Sequence, residues 1–500
     1  MKSKKILSFN LILSFFGIYL TYFYFGAHVY FHNSYDLFEI FRSTIIISLI
    51  FSFPIILTIF VINEAPENIF KRIIISSSLS LLIYVLFHYI VRFSDINYNY
   101  IYSSFFDNKN YLLKIIFYCF PFIITFIAAF FLSAKQIFKI NKFVLILLIM
   151  LNILSINRIL EIYQEKNNTT SDFKNFKRHP NDGQTINKKV FFLIFDEFDQ
   201  NIFKKNFQKF NYINELYNSS YVNKNFYSPA KFTLDSIPAI LIGSATKKTI
   251  FKGAELYIEN LNNELIHFNH VNSLFNLKNI SSSIYGTYHP YCRVLKIENC
   301  YDRFNFKKNK INLNTGINNF LAITHLHKLI GTITLFSRGI NSDEIGEHIN
   351  ISKFMIENSL EFLKSNTNII FIHYPFPHPP LKEGIIHIKD EHQGLSDYEK
   401  NLFLVDETFS KIKEYIYKQE DSLLIVTSDH WHKDSGENEP LPMVFFSKII
   451  GDNSYYEESE KKNATNIKQL INDFFDNNIT NNSDINNFFK VKKNHKTYVR

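Results

Sequence analysis

Hydrophobic positions are distributed unevenly along the chain. Before about residue 160 they form long runs, and four of these runs are each close to the roughly 20 residues that a helix needs to cross the hydrocarbon of a bilayer. They are residues 6–25, 44–62, 73–91 and 115–133. A fifth run, residues 143–156, is shorter, and it fits a tilted span, a span extended to residue 160 or a helix lying in the interface. We adopt five spans and predict an α-helical transmembrane bundle at residues 1–160.

Basic residues in the predicted loops determine the expected orientation of this bundle. With five spans, the N-terminus and the loops after the second and fourth runs lie on one side of the membrane. Their eight basic residues are Lys2, Lys4, Lys5, Lys71, Arg72, Lys135, Lys139 and Lys142. The other loops hold fewer, and basic residues are enriched in cytoplasmic loops. We therefore predict a multi-pass protein of the bacterial inner (plasma) membrane whose C-terminal half is periplasmic or otherwise extracytoplasmic.

A polar segment separates this half of the chain from the next. Residues 161–189 lack apolar periodicity, which is typical of a linker. Beyond them the apolar runs become short, and three of these are continuous enough to predict strands buried on both faces of a sheet. They are residues 190–195 (VFFLIF), 368–372 (NIIFI) and 423–427 (LLIVT).

A helical pattern lies between the second and third predicted strands, at residues 396–419. One face of it carries Leu402, Val405, Phe409, Ile412 and Ile416. Strands that alternate with helices predict an α/β domain at residues 190–500, with a mostly parallel sheet covered by helices on both faces.

Candidate chemistry follows the predicted strands. The first is followed by Asp196 and Glu197, and the third by Ser428, Asp429 and His430. Sheets of this class bind ligands beyond the carboxyl ends of their strands, and carboxylate oxygen with imidazole nitrogen suits Zn²⁺ or Mn²⁺. Successive strand residues point to opposite faces, so the register from Val190 favours Asp196 over Glu197 as the residue that faces the ion.

A hydroxyl group is the candidate nucleophile. Residues 228–243 read SPAKFTLDSIPAILIG, in which Thr233 precedes an apolar, helix-like run. An oxygen at a helix N-terminus is well placed for developing negative charge and for a bound anion. The alternative is a threonine that merely caps the helix.

Net charge and cysteine content bear on the expected partners and on a possible disulfide. The formal net charge is +8, and the basic residues are spread thinly, so we expect no nucleic-acid partner. The chain has three cysteines. Cys119 lies in an apolar run, whereas Cys292 and Cys300 lie close together in a polar segment and fit either a local disulfide or two free thiols.

These motifs, in this order, resemble the alkaline phosphatase superfamily over residues 190–446. Within it they are most similar to the membrane-anchored sulfatase-like proteins that include phosphoethanolamine and phosphoglycerol transferases. The resemblance implies that Thr233 is the nucleophile and that one divalent ion, zinc or manganese, is bound, with a second ion left open. The implied metal ligands are Asp196, Thr233, Asp429 and His430. It also implies that His378 contacts the phosphoryl group of the substrate, whereas His373 is a structural residue at the end of its strand.

Two departures from the family pattern bear on function. Trp431 and His432 stand where the family has glycine, often followed by an acidic residue, so His432 is either a further ligand or substrate contact, or a solvated loop histidine. The C-x-P-x-R sequence that sulfatases modify is absent, which disfavours sulfate-ester hydrolysis by the usual route.

The expected function is metal-dependent transfer of a phosphoryl-linked headgroup from a membrane phospholipid to an envelope glycan or lipid, through a covalent phosphothreonine intermediate. Two alternatives stay open. One is a sulfatase-like hydrolase of phosphate or sulfate esters. The other is a non-catalytic membrane scaffold or glycan-binding protein, because a fold does not by itself determine a function.

Overall fold

The computed structural model describes most of the C-terminal two thirds of the chain. The described residues are 188–302, 337–379, 394–433 and 440–491, apart from 253, 254 and 298, with only the backbone for 337–347 and with short helical pieces between 30 and 143. The chain divides into two compact units. One comprises residues 1–171 with 308–342, and the other residues 172–307 with 343–500.

The described residues of the first unit are mostly helical. Leu79 and Ala129 are buried there and pack with Leu132 and Ile140, so residues from the third and fourth predicted spans contact each other. Among the described residues, no helix has both the length and the apolar character required to cross a membrane. Most residues of the predicted spans lie outside the described ones, and the transmembrane bundle stays a prediction.

The second unit contains every strand that the structure describes. In chain order these are β1 (Val190–Asp196), β2 (Tyr221–Asn223), β3 (Phe226–Tyr227), β4 (Thr246–Lys252), β5 (Glu255–Asn260), β6 (Leu265–His267), β7 (Ser282–Gly286), β8 (Asn299–Asp302), β9 (Ile369–Pro377), β10 (Leu423–Ser428), β11 (Phe445–Ile449), β12 (Tyr456–Glu458) and β13 (Lys462–Asn463).

Helices alternate with these strands. They are α1 (Gln200–Lys205), α2 (Tyr212–Tyr217), α3 (Thr233–Ile242), α4 (Tyr291–Leu295), α5 (Ser337–Leu363), α6 (Asp397–Tyr417), α7 (Ile467–Phe475) and α8 (Asn482–Val491), with 3-10 turns at Phe207–Lys209 and Ala464–Asn466.

The main sheet has the strand order β12-β2-β11-β10-β1-β9-β7-β8. Strand β1 lies at its centre and pairs in parallel with both β10 and β9. Strands β9, β7 and β8 continue the parallel arrangement, whereas β11 runs antiparallel to β10 and β2. The prediction of an α/β domain with a mostly parallel sheet is confirmed.

Apolar side chains pack against both faces of the main sheet. Every residue of β1 is buried, as expected for a strand covered on both faces. On one face, Phe191, Leu193 and Phe195 join a cluster with residues of α1, α2, α5 and α6. The predicted apolar face of α6 is part of that cluster. On the other face, Phe192 packs edge to face against Phe371 with ring centres 5.3 Å apart.

Strand β9 is longer than the sequence pattern predicts. The pattern ends it at residue 372, but the ladder with β1 continues through His373 and Tyr374, and the strand ends at Pro377. Tyr374 stacks on Phe195 with ring centres 4.7 Å apart, because the apolar alternation continues past the histidine. His378 is therefore the first residue beyond the strand.

Candidate active site

Three of the predicted site residues meet at one edge of the sheet. Strands β1 and β10 are parallel neighbours, so their carboxyl ends lie together. Asp196 is the last residue of β1, and Asp429 and His430 follow β10 directly. All three side chains are buried, and each offers one ligand atom within 4.8 Å of the other two.

The donor atoms of this cluster fit a divalent cation. His430 Nε2 lies 3.2 Å from Asp429 Oδ2 and 3.8 Å from Asp196 Oδ1. Both of these carboxylate oxygens are buried, and neither has a hydrogen-bond partner among the described residues. Buried acceptors without a donor are unfavourable, whereas two carboxylate oxygens with one imidazole nitrogen suit zinc or manganese.

The pKa values of the two carboxyl groups shift in opposite directions. Burial raises the pKa of Asp196 well above its usual range, and the neighbouring Asp429 and Glu197 raise it further. Burial also acts to raise the pKa of Asp429, but the adjacent His430 and His373 outweigh it and hold that pKa below its usual range. A bound cation would lower the pKa of both carboxyl groups, because it stabilises their charged forms.

Hydrogen bonds orient these candidate ligands. Asp429 Oδ1 accepts from the backbone N–H groups of Glu197 and His430, at 3.0 and 2.8 Å, which directs Oδ2 towards the cluster. His430 Nδ1 lies 2.8 Å from the carbonyl oxygen of Trp431 and donates its proton to it, so Nε2 keeps its lone pair for the cluster. Trp431 itself is buried.

Thr233 is the first residue of α3, and its side chain reaches the same cluster. Its Oγ1 lies 3.1 Å from His430 Nε2. The N-cap position is occupied by Phe232, whose backbone is extended. The reading of Thr233 as a helix cap is therefore wrong: the threonine lies one residue inside the helix, with its hydroxyl directed at the candidate metal ligands.

The spacing T-x-x-S has a structural reason. Residues three apart share a helix face, so Ser236 lies on the same side of α3 as Thr233. The Ser236 hydroxyl donates to the carbonyl oxygen of Asp429. Ser228, in the preceding loop, donates to the same oxygen at 2.6 Å. Helix α3 is thereby attached to the end of β10.

The neighbouring Glu197 does not face the cluster. Its backbone is left-handed, with φ +63°. Its Oε2 lies 2.8 Å from His432 Nδ1, and its Oε1 lies 3.6 Å from both His378 Nε2 and Lys433 Nζ. These contacts outweigh the effect of burial and lower the Glu197 pKa.

His378 and His432 thus belong to a second group, the mouth cluster, which comprises Glu197, His378, His432 and Lys433. The backbone N–H of His378 donates to the carbonyl oxygen of Asp196 at 3.0 Å, and its imidazole is partly exposed. His432 is buried and stacks on Tyr398 with ring centres 3.9 Å apart. The reading of His432 as a solvated loop histidine is wrong, and both histidines are candidate substrate contacts.

Two further buried histidines, His289 and His373, lie next to the site. His289 Nε2 lies 3.3 Å from the carbonyl oxygen of Thr233, and burial lowers its pKa to about 3. His373 lies inside β9 and not at a strand end, with Nδ1 2.8 Å from the Tyr291 hydroxyl, and burial lowers its pKa to about 4.

A disulfide joins Cys292 and Cys300, with Cα atoms 5.3 Å apart, so the alternative of two free thiols does not apply. The disulfide links α4 to β8, and α4 begins two residues after His289. His289, three residues before Cys292, contacts the Thr233 backbone, so the disulfide lies close in sequence to the candidate site.

No protein-family model matches the sequence, and no curated protein matches it. Solved structures that resemble this one include members of the alkaline phosphatase superfamily. A Vibrio parahaemolyticus protein of that superfamily is 12% identical, with 58% of this chain and 66% of that chain covered and a TM-score of 0.33. The C-terminal periplasmic domain of phosphoethanolamine transferase EptC from Campylobacter jejuni is 13% identical, covering 58% and 89%, with a TM-score of 0.32.

The lipoteichoic acid synthase LtaP from Listeria monocytogenes is 11% identical, covering 62% of this chain and 77% of that chain, with a TM-score of 0.33. Likenesses at these identities and TM-scores do not assign a reaction to this chain.

Proposed function

We propose that this protein is a metal-dependent enzyme that transfers a phosphoryl-linked headgroup from a membrane phospholipid to an envelope glycan or lipid, with Thr233 as the nucleophile. One observation carries the proposal. The Thr233 hydroxyl lies 3.1 Å from His430 Nε2, in a buried cluster that also contains two carboxylate oxygens without hydrogen-bond donors among the described residues.

The side chains have distinct roles in this proposal. Asp196, Asp429, His430 and Thr233 would hold a zinc or manganese ion, which would lower the pKa of the Thr233 hydroxyl and offset charge on a phosphoryl oxygen. Thr233 sits at the N-terminus of α3, where the helix dipole favours a developing alkoxide. Ser228 and Ser236 keep that helix end against Asp429.

The first half of the reaction is a substitution at phosphorus. The bond from Thr233 Oγ1 to phosphorus forms while the ester bond to the diacylglycerol oxygen breaks. The hydroxyl proton of Thr233 passes to solvent, the diacylglycerol oxygen takes up a proton from solvent and leaves as an alcohol, and the headgroup phosphate remains on the threonine. His378 lies at the mouth and neutralises charge on the phosphoryl group. In the second half, a hydroxyl of the acceptor attacks the same phosphorus and releases Thr233.

Water in place of the acceptor would make the enzyme a hydrolase of phosphate esters. The proposed location favours the transferase, because a catalytic unit outside the cytoplasm and tethered by membrane spans has both phospholipid and envelope glycan within reach. The donor and acceptor are thus proposed from the predicted spans together with the chemistry of the site.

Intact mass spectrometry of the full chain in detergent tests the nucleophile. The protein is incubated with phosphatidylethanolamine or phosphatidylglycerol and Zn²⁺ or Mn²⁺. We expect a headgroup-phosphate adduct on Thr233 and none in Thr233→Ala. Thr408→Ala is the matched control, because this buried threonine of α6 bonds to Leu404 of its own helix.

An adduct that persists in Thr233→Ala would contradict the nucleophile assignment. Absence of any adduct in the wild-type protein with either donor would contradict the proposed reaction. Addition of a lipid-linked glycan distinguishes transfer from hydrolysis of the intermediate. A transferase yields modified glycan, and a hydrolase yields free headgroup phosphate.

A further inference from the structure

Lys433 occupies a position next to the reacting groups that the proposed mechanism does not use. It follows His430 by three residues. Its Nζ lies 3.6 Å from Glu197 Oε1 and 4.8 Å from the ring centre of Phe232. Glu197 is the chain neighbour of Asp196, and Phe232 is the chain neighbour of Thr233. The ammonium group therefore lies between the segment with the first carboxylate and the segment with the nucleophile.

Among the described residues, the contacts of Lys433 hold its side chain without using all of its hydrogen-bond donors. An ammonium group has three donors. A separation of 3.6 Å from a carboxylate is longer than a normal charge-assisted hydrogen bond, and a ring face offers only a cation–π contact. Glu197 is engaged more closely by His432, at 2.8 Å. The side chain is 29% exposed, so an incoming anion can reach the ammonium group.

The charge of Lys433 also acts on the cluster. It opposes the rise in the Asp196 pKa and contributes to the lowered pKa of Glu197. Both effects are those of a cation close to the carboxyl groups of Asp196 and Glu197.

We propose that Lys433 is a catalytic residue that binds a non-bridging oxygen of the phosphoryl group while Thr233 attacks, with Glu197 and Phe232 holding its side chain in place. This inference rests on the proposed function. Positive charge at that oxygen stabilises the additional negative charge of the transition state more than that of the bound donor.

The chain offers a matched control for this residue. Lys413 has the same pair of contacts away from the site, with Nζ 2.6 Å from Glu215 Oε2 and 5.1 Å from the ring centre of Tyr212. Lys413→Gln therefore removes an equivalent ion pair and cation–π contact. Lys433→Arg keeps the positive charge in a larger group.

The test measures the rate at which the full chain in detergent forms the Thr233 adduct, as a function of donor concentration. We expect Lys433→Gln to lower the maximal rate by about 100-fold, the loss typical of one transition-state hydrogen-bond donor. Lys433→Arg should recover part of that loss, and Lys413→Gln should match the wild type. Bound metal, measured by elemental analysis, should be the same in all variants.

A second readout uses inorganic phosphate as the probe, with its affinity measured by calorimetry on the metal-loaded protein. Lys433→Gln should weaken phosphate binding about 10-fold, consistent with loss of one charged contact. A wild-type rate in Lys433→Gln, or an equal loss in Lys413→Gln, would overturn the inference while the proposed function stands. If the wild-type protein forms no adduct, the proposed function fails, and unchanged phosphate affinity in Lys433→Gln would then overturn the inference as well.

Discussion

The buried cluster and the mouth cluster are adjacent in the chain and yet differ in how their charges are compensated. In the buried cluster, Asp196 and Asp429 each have a carboxylate oxygen without a hydrogen-bond partner among the described residues. At the mouth, Glu197 is surrounded by His432, His378 and Lys433. The buried cluster therefore favours a cation from outside the protein, whereas the charge of Glu197 is compensated by side chains of the protein itself. We therefore expect a metal ion at the buried cluster and the substrate phosphoryl group at the mouth cluster.

Removal of a carboxylate from the buried cluster should have the largest effect. Asp429→Asn replaces one of the two charged oxygens with a neutral group, and we expect loss of bound zinc or manganese together with a fall in adduct formation of about 1,000-fold or more. Elemental analysis and the mass-spectrometric rate check this. Retention of a full equivalent of metal would show that the two clusters do not divide their roles in this way.

Acid should destabilise the surroundings of the buried cluster. The pKa of His373 is about 4 in the folded protein, below the usual value, so between pH 6.5 and 4 the unfolded chain binds more protons. Folding stability is therefore lost as the pH falls through this window, by about 2 kcal/mol at pH 5 for this residue.

His373→Asn removes the titration and keeps an acceptor for Tyr291. The measurement is the free energy of unfolding in urea at pH 7 and pH 5, with a chelator present to exclude metal effects. The difference between the two pH values should shrink in the variant. An unchanged difference would contradict the assignment of a neutral, buried His373.

The smallest effect is expected for Glu197 of the mouth cluster. Glu197→Gln keeps the shape of the side chain but weakens its hold on His432 and Lys433, and we expect about a 10-fold loss of activity, of the size of one hydrogen bond to a charged group. Bound metal should be unchanged. Loss of metal in Glu197→Gln would mean that the mouth carboxylate also serves the ion, and the comparison between the clusters would fail.

Local pattern accounts for much of the fold. Strands β1 and β10 begin where their apolar runs predict and end one residue later, and α6 matches its predicted helical face. Such elements are defined by residues close in sequence, whose burial on a sheet or helix face requires continuous or periodic apolar side chains. The same argument failed for β9, because His373 interrupts the apolar run without interrupting the ladder.

Parts of the candidate site depend on long-range contacts and could not be predicted. Asp196, Asp429, His430 and Thr233 come together as the order of strands suggests, since parallel neighbours share an edge; their roles as ligands and nucleophile stay predictions. The turn at Glu197, the contact of His289 with Thr233 and the position of Lys433 depend on how loops cross between elements. No periodicity in the sequence reports such crossings.

The two serines that bind the carbonyl oxygen of Asp429 have a consequence for turnover. Ser228 and Ser236 attach the loop and the first turn of α3 to the strand end that carries Asp429 and His430. A shift of the first turn of α3 would strain the hydrogen bond from Ser236. If Thr233 is the nucleophile, as proposed, these two bonds help to position it before a substrate arrives, and little reorganisation is left for the reaction itself.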